Sequence, residues 1–147
     1  MPPKQNKELI ERMNQAFNTG TESIVDELVD PQHTDRTPFP GTGKDQQGLK
    51  QQIRALRSAF PDAQFTIEEM VAEGETVAFR WKMVGTHRGK LMGQDGTNKR
   101  VTHSGIDIVT FKNGKIVEHR SSDNVPTLLA KLGLQFQVTQ VLAGHEE

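Results

Sequence analysis

Two β-rich segments joined by an Asn-Gly pair constrain this chain more than any other feature. Asn113-Gly114 separates residues 101–111 from a second β-rich segment that starts at Ile116. A two-residue turn of type I′ requires positive φ at both central positions, which Asn and Gly tolerate. The sequence therefore predicts a long β-hairpin followed by a short helix. We expect the chemistry of the protein to involve this hairpin, because it carries His103, Asp107, Glu118, His119, Arg120 and Asp123.

The residues before the hairpin predict helices first and strands second. Apolar side chains recur at helical spacing in residues 4–18, 22–29 and 46–59. Alternating apolar and polar side chains predict strands at 63–72 and 76–87. Helices followed by a strand meander indicate the α+β class. We therefore expect N-terminal helices packed on a curved antiparallel sheet of four strands, with a pocket between the two layers.

The predicted strand at 76–87 has two different faces. One face carries four large apolar side chains and is expected to meet the helices and form core and pocket wall: Val77, Phe79, Trp81 and Met83. Arg80 and Lys82 alternate with them and are expected to meet water or a partner subunit. Trp81 is accordingly a candidate for substrate contact in the pocket.

Residues 30–44 are expected to form a loop, because they contain three prolines and two glycines. A loop of this length in a compact domain is either functional or a solvated connector. Its polar and aromatic content favours a lid or a pocket wall. His33, Asp35 and Phe39 are therefore candidates for substrate binding.

Length and composition exclude several classes of function. A chain of 147 residues predicts a single domain, 1–147, with tails at 1–5 and 135–147.

The net charge of −1 gives no sign of the basic surface that binds nucleic acid, and the absence of cysteine excludes disulfides and thiolate metal sites. No apolar run approaches the roughly 20 residues of a membrane span. The five histidines lack metal-ligand spacing, and no Gly-rich phosphate-binding motif occurs. We expect a cytoplasmic protein without metal or cofactor.

Two segments carry a family resemblance. Residues 60–89, F-P-D-A-Q-F-T-I-E-E-M-V-A-E-G-E-T-V-A-F-R-W-K-M-V-G-T-H-R-G, resemble the SnoaL-like polyketide cyclases of the NTF2-like superfamily. So do residues 105–133, which begin G-I-D-I-V-T-F-K-N-G-K-I-V-E-H-R. The resemblance implies a cystatin-like α+β barrel with a pocket, usually in a homodimer packed through sheet faces. It also implies aldol-type ring closure without a cofactor, by an Asp at the end of the last strand and a His on the neighbouring strand.

The position of this acid leaves two alternatives. The family pattern places it four residues after a Trp whose position here holds Arg120, and this count reaches Asn124. Asp123 lies one residue earlier, and one residue on a strand changes the face. Either Asp123 turns inward as the general base, or the Asn124 amide replaces the acid and donates to an enolate oxygen. Both residues also suit the N-cap of the following helix.

Three further side chains are candidates, each with an ordinary structural alternative. His103 is either an acid or base in the pocket or an exposed strand residue. His87 either reaches the pocket mouth or packs in a turn. Arg120 either binds a carboxylate or enolate in the pocket or forms an outer salt bridge with Glu118.

The predicted function is cofactor-independent acid–base catalysis, a cyclisation or isomerisation of a small apolar carbonyl compound. One alternative is an epoxide hydrolase, which needs an Asp-Arg-Asp set in the pocket. Asp107, Arg80 and Asp123 offer those residue types, although Arg80 is expected to face away from the core. Asp107 is expected to pair with a basic group such as Arg80 across the sheet. Another alternative is a non-catalytic module for ligand binding or dimerisation.

Overall fold

The computed structural model describes residues 2–134, in which one sheet is covered on one face by helices. The helices are α1 (Pro3–Thr19), α2 (Ser23–Leu28), α3 (Gln46–Ala59) and α4 (Val125–Lys131). The strands are β1 (Val29–Asp35), β2 (Gln64–Glu73), β3 (Thr76–Thr86), β4 (Arg100–Lys112) and β5 (Lys115–Asp123). Their order in the sheet is β1-β5-β4-β3-β2, and within residues 2–134 the sheet does not close into a barrel.

The predicted helices and the hairpin are confirmed. The first three helices match their predicted ranges to within one residue at each end. Asp45 caps α3, because its side chain accepts a hydrogen bond from the backbone N–H of Gly48 at 2.8 Å. In the hairpin turn, Asn113 and Gly114 have φ values of 52° and 76°. Local sequence chemistry therefore determined these elements.

The loop predicted at 30–44 is wrong in its first part. Val29–Asp35 forms β1, which pairs in parallel with β5 at the edge of the sheet, with an irregular register between Val29 and Thr34. Pro31 made this segment look like a loop, but an edge strand tolerates proline because one side of its backbone has no ladder to maintain. The sheet is therefore mixed and five-stranded, and the expected four-stranded antiparallel sheet is corrected.

The inner face of the sheet, which meets the helices, holds the apolar core. On β3, Val77 and Met83 are buried, while Arg80 points to the outer face and its Nη1 lies 2.9 Å from Oε1 of Glu68. On α1, the side-chain amides of Asn14 and Asn18 donate to the carbonyl oxygen of Phe65 and attach the helix to β2. These observations confirm the α+β class and the two faces predicted for β3.

Two predicted terminal segments have different outcomes. Residues 3–5, expected in an N-terminal tail, form the first turn of α1. The predicted tail at 135–147 lies outside the described residues. Across residues 2–134, no helix is long and apolar enough to cross a membrane.

Candidate active site

A cavity lies between the inner face of the sheet and the helices. Its solvent-accessible volume of about 100 Å³ is several times the space of a single buried water. Much of its wall is aromatic: Phe17, Phe39, Phe65, Phe79 and Trp81. The polar lining residues contribute the smaller part of the cavity surface: Asn14, His33, Thr37, Gln52, His103, Asp107, His119, Ser121 and Asp123. This lining suits a largely apolar molecule that carries a few hydrogen-bonding groups.

Two adjacent strands supply most of the ionisable side chains of the cavity. On β4, the inward positions include His103 and Asp107, and on β5 they include His119 and Asp123. The register pairs Gly105 with Asp123, Asp107 with Ser121 and Val109 with His119. Successive strand residues point to opposite faces, so the period of two collects these side chains in one place.

Asp107 forms a buried ion pair with His119. Nε2 of His119 donates to Oδ2 of Asp107 at 2.6 Å. Oδ1 of Asp107 accepts hydrogen bonds from Nε1 of Trp81 at 2.9 Å and from Oγ of Ser121 at 2.6 Å. The sequence predicts a basic partner for Asp107, such as Arg80; the basic partner is His119, and Arg80 itself lies on the outer face. The alternation of side chains along β3 places Arg80 on the other side of the sheet.

The charge state of this pair follows from its surroundings. Burial favours neutral His119, but the Asp107 carboxylate and its hydrogen bond outweigh burial, and with Asp35 they raise the pKa of His119 to about 10. Burial likewise opposes the charged form of Asp107. However, His119, the Ser121 hydroxyl and the Trp81 indole N–H stabilise the carboxylate and hold the pKa of Asp107 below its usual value. His119 is therefore an imidazolium at neutral pH.

His33 lies in β1 and faces the same region. Its ring stacks on that of His119, with centroids 6.5 Å apart and an angle of 27° between the planes. Burial, followed by the positive charge of His119, lowers the pKa of His33 to about 4. Neither ring nitrogen has a hydrogen-bond partner within residues 2–134. A neutral imidazole with unpaired nitrogens is available to a bound molecule as donor or acceptor.

Asp123 lines the cavity, and Asn124 does not. Oδ2 of Asp123 lies 3.8 Å from Nε2 of His103. Asn124 is exposed, and its Oδ1 accepts a hydrogen bond from the backbone N–H of Thr127 at 3.1 Å, which caps α4. β5 ends at Asp123, the last residue of the inward alternation. The structure thus places the Asp123 carboxylate at the cavity and Asn124 at the helix cap, and a catalytic role of either residue stays a prediction.

Two other candidates lie outside the cavity. Arg120 occupies an outward position of β5, and its Nε donates to Oε1 of Glu118 at 3.1 Å. His87 follows β3 directly and packs on Phe60, with ring centroids 5.5 Å apart. Its Nδ1 accepts a hydrogen bond from the backbone N–H of Thr97 at 3.2 Å. Neither residue lines the cavity, and the salt bridge and the turn packing given as alternatives are observed. The substrate contacts of Arg120 and His87 stay predictions.

The first part of the chain contributes both wall and support. Phe39 and His33 line the cavity. Asp35 is buried behind the lining, where its Oδ2 lies 3.6 Å from Nδ1 of His119. Asp35 thus contacts a cavity residue rather than the cavity itself. In residues 2–134, no group of three or more His, Cys, Asp or Glu side chains has the geometry to hold a metal ion.

The comparison with protein families decides the affiliation of the chain. A family model described as SnoaL-like polyketide cyclase matches residues 7–132. The chain belongs to this family. The resemblance predicted from the two sequence segments is confirmed.

Relatives and solved structures agree with this SnoaL-like affiliation. The nogalonic acid methyl ester cyclase of Streptomyces nogalater is 27% identical over 123 residues, which are 82% of this chain and 92% of that protein. The aklanonic acid methyl ester cyclase DauD of Streptomyces sp. (strain C5) is 28% identical over 120 residues, 77% of this chain and 72% of that protein. TsrD from Streptomyces laurentii has a TM-score of 0.83 at 23% identity, covering 92% of this chain and 99% of that one, and shows the shared fold.

Sequence reasoning missed the ion pair of this SnoaL-like protein. His119 was recognised as a titratable residue of the hairpin but was given no place in the pocket. The signal was available, since His119, Ser121 and Asp123 share one face of β5 once Asp123 is placed inward. The partner of His119 was not predictable in the same way, because it depends on the register between β4 and β5.

Proposed function

We propose that this SnoaL-like protein catalyses an aldol-type ring closure of a small polyketide-like carbonyl compound, with Asp123 as general base. The observation that carries the proposal is the Asp123 carboxylate at the wall of a largely apolar cavity, beside the His103 imidazole. The two named relatives, both cyclases of polyketide methyl esters, support the same reaction class.

The proposed reaction has two steps. Asp123 removes a proton from the carbon next to a carbonyl group, which gives an enolate. The enolate carbon then attacks a second carbonyl carbon of the same molecule, and a C–C bond forms as the C=O π bond becomes an alkoxide. The alkoxide takes the proton back from protonated Asp123, either directly or through His103, so both side chains return to their starting protonation states. Neutral His33 is placed to donate a hydrogen bond to a substrate oxygen. The aromatic walls favour the folded substrate, because ring closure requires its two reacting carbons to be close.

His119 does not suit the role of general base, although it lines the cavity. A base must be unprotonated at the working pH. The pKa of His119, raised to about 10 by Asp107 and Asp35 against the effect of burial, keeps its proton in place. The Asp123 carboxylate is not held in such a hydrogen-bonded ion pair within residues 2–134, since Nε2 of His103 lies 3.8 Å from its Oδ2. This contrast supports Asp123 as the base.

The epoxide-hydrolase alternative lacks its required constellation. Arg80 pairs with Glu68 on the outer face of the sheet, so Arg80, Asp107 and Asp123 do not meet in the cavity. Asp107 is also occupied by His119, Trp81 and Ser121. We therefore do not carry this alternative further.

Replacement of Asp123 tests the proposed reaction. Nogalonic and aklanonic acid methyl esters serve as probes, and ring closure is followed by chromatography with mass detection and by deuterium uptake from D₂O at the reacting carbon. Asp123→Asn is expected to lower kcat by about 100-fold or more, because it removes the only proposed base. Asn124→Ala is the matched control: it removes a helix cap next to Asp123 but leaves the cavity intact.

The outcomes separate the remaining possibilities. Asn124→Ala should keep near-wild-type turnover despite a stability loss of about 1 kcal/mol. Turnover by Asp123→Asn at the wild-type rate would show that another group is the base. Binding of both esters without deuterium uptake or ring closure would favour the non-catalytic module instead.

We also infer a homodimer formed through the outer face of the sheet. The large hydrophobic side chains that are exposed within residues 2–134 are Val71, Ile106 and Ile108, with 62%, 49% and 47% exposure. All three lie on this face, where Ala78 pairs with both Val71 and Ile108. Exposed apolar groups that cluster in this way are typical of a protein interface. The single domain and the cytoplasmic location stay predictions from the sequence.

A further inference from the structure

We propose that Trp81 and Asp107 are positioning residues, which hold the His103 imidazole beside the Asp123 carboxylate. The inference rests on the proposed function, since acid–base work by Asp123 is what this positioning serves. It assigns a role to two side chains that take no part in the proposed proton transfers.

Gly105 creates the corner in which these side chains meet. It pairs with Trp81 of β3 on one side and with Asp123 of β5 on the other. A Cβ atom at Gly105 would lie 2.6 Å from Cζ2 of Trp81 and 2.9 Å from Cβ of Asp123. Both distances are shorter than real Cβ contacts, so only glycine lets the two side chains lie over this position. The Trp81 ring and the Asp123 side chain thus share one corner of the cavity.

One hydrogen bond selects the orientation of the Trp81 ring. Nε1 of Trp81 donates to Oδ1 of Asp107 at 2.9 Å. The ring centroid lies 6.4 Å from that of Phe65 and 5.7 Å from that of His103, which it meets edge-to-face at 67°. The Trp81 indole has a single polar atom, Nε1. Its hydrogen bond to Asp107 therefore favours the observed ring orientation over the flipped one, whereas apolar contacts alone would not separate the two. Without it, a different edge of Trp81 would face His103.

Other hydrogen bonds hold the Asp107 carboxylate in the position where it accepts from Trp81. Its second oxygen accepts from His119 at 2.6 Å, and Ser121 donates to the same oxygen as Trp81 at 2.6 Å. The carboxylate is buried and ion-paired, so moving it would leave an uncompensated charge in the interior. Asp107 therefore attaches Trp81 to both β4 and β5.

His103 lacks a comparable anchor at Nε2. This atom is buried and has no hydrogen-bond partner within residues 2–134. It lies 3.8 Å from Oδ2 of Asp123, beyond hydrogen-bond distance. The contact with Trp81 is accordingly what limits rotation of the His103 ring away from Asp123. Because displacements of about 1 Å at reacting groups can cost about 100-fold in rate, such a limit is relevant to catalysis.

Four variants of the full chain test the positioning. Trp81→Phe removes the Nε1 donor, and Asp107→Leu removes both acceptor oxygens. Asp107→Asn keeps one oxygen that can accept from Trp81 and is the conservative rescue. Val77→Ala is the matched control, since Val77 is buried on the same face of β3, four residues from Trp81, and is not part of the cavity lining. Nuclear Overhauser effects (NOEs) between the His103 ring and Asp123 are measured together with kcat and KM on the two esters.

The expected pattern differs from a general loss of stability. Trp81→Phe and Asp107→Leu should weaken the His103–Asp123 NOEs and lower kcat by about 10- to 100-fold, with a smaller change in KM. Asp107→Asn should keep the NOEs, and Val77→Ala should lower thermal stability while keeping both NOEs and kcat.

The two arms distinguish this inference from the proposed function. The NOEs are read on the protein alone, so they test the positioning even where neither ester is turned over. NOEs that persist unchanged in Trp81→Phe and Asp107→Leu would overturn the inference. If Asp107→Leu does not fold, the comparison of Trp81→Phe with Val77→Ala decides in the same way.

Discussion

Neighbouring residues at the end of β5 have opposite surroundings, although their side chains differ by a single polar group. Asp123 lines the cavity, and Asn124 caps α4 in solvent. His119, which lines the cavity, and Arg120, which is exposed, show the same contrast four residues earlier. The direction in which a side chain points, rather than its residue type, thus decides which side chain reaches the cavity.

The two stacked histidines predict how stability depends on pH. The pKa of His33 is lowered to about 4 by burial and by His119. The stability that neutral His33 contributes is therefore fully present above pH 6.5 and is lost as the pH falls toward 4. Burial lowers the pKa of His119, but Asp107 and Asp35 outweigh burial and raise it to about 10. The stability that charged His119 contributes is therefore fully present below pH 6.5 and is lost as the pH rises toward 10. The free energy of unfolding should therefore be highest near pH 6.5.

Urea denaturation between pH 4 and pH 10 measures this curve. His119→Gln is expected to flatten the alkaline side, and His33→Asn the acidic side, each by an amount on the order of 2 kcal/mol. Ring-proton titration by NMR on the wild type provides a second measurement where a variant is too unstable. A curve that rises steadily from pH 6.5 to pH 10 would contradict the ionised His119.

At the scale of elements, the hairpin and β1 show two different origins of a strand. The hairpin follows from its own residues, because Asn113 and Gly114 accept the positive φ values that the turn requires. β1 contains Pro31 and follows from the backbone of β5, to which it pairs. Sequence patterns therefore predicted the first of these elements and missed the second.

Gly114→Ala tests the local origin of the hairpin. Gly114 has a φ of 76°, a conformation that costs L-residues with a Cβ atom about 1–2 kcal/mol. The substitution is expected to lower the free energy of unfolding by that amount without changing the fold. Chemical denaturation followed by circular dichroism measures it, with the exposed Lys112→Ala as control. Equal stability of the two variants would show that the turn does not require glycine.

At the scale of the whole molecule, the sheet separates the cavity from an exposed apolar cluster. Its inner face carries the cavity, and its outer face carries the apolar cluster of Val71, Ile106 and Ile108. Arg80 and Glu68 form an ion pair on the same outer face. A face with apolar side chains and both signs of charge suits a two-fold contact with a second copy of itself.

Ile106→Lys combined with Ile108→Lys tests the inferred dimer. Two added charges in an apolar contact should shift the protein to monomer, because they are costly to bury without partners. Analytical ultracentrifugation measures the mass, and circular dichroism checks the fold. Gln5→Lys, an added charge on the exposed side of α1, should leave the dimer intact. A wild-type protein that is monomeric at all concentrations would refute the inference.

The sequence by itself determined the elements with a local origin, the α+β class and the family. Helical periodicity, the Asp45 cap and the Asn-Gly turn depend only on residues that are close in the sequence, so they can be predicted without the tertiary structure. The tertiary structure decided the remaining features: the β1 strand, the inward turn of Asp123 and the pairing of Asp107 with His119. These depend on register between strands distant in sequence, and a shift of one residue would reverse every face.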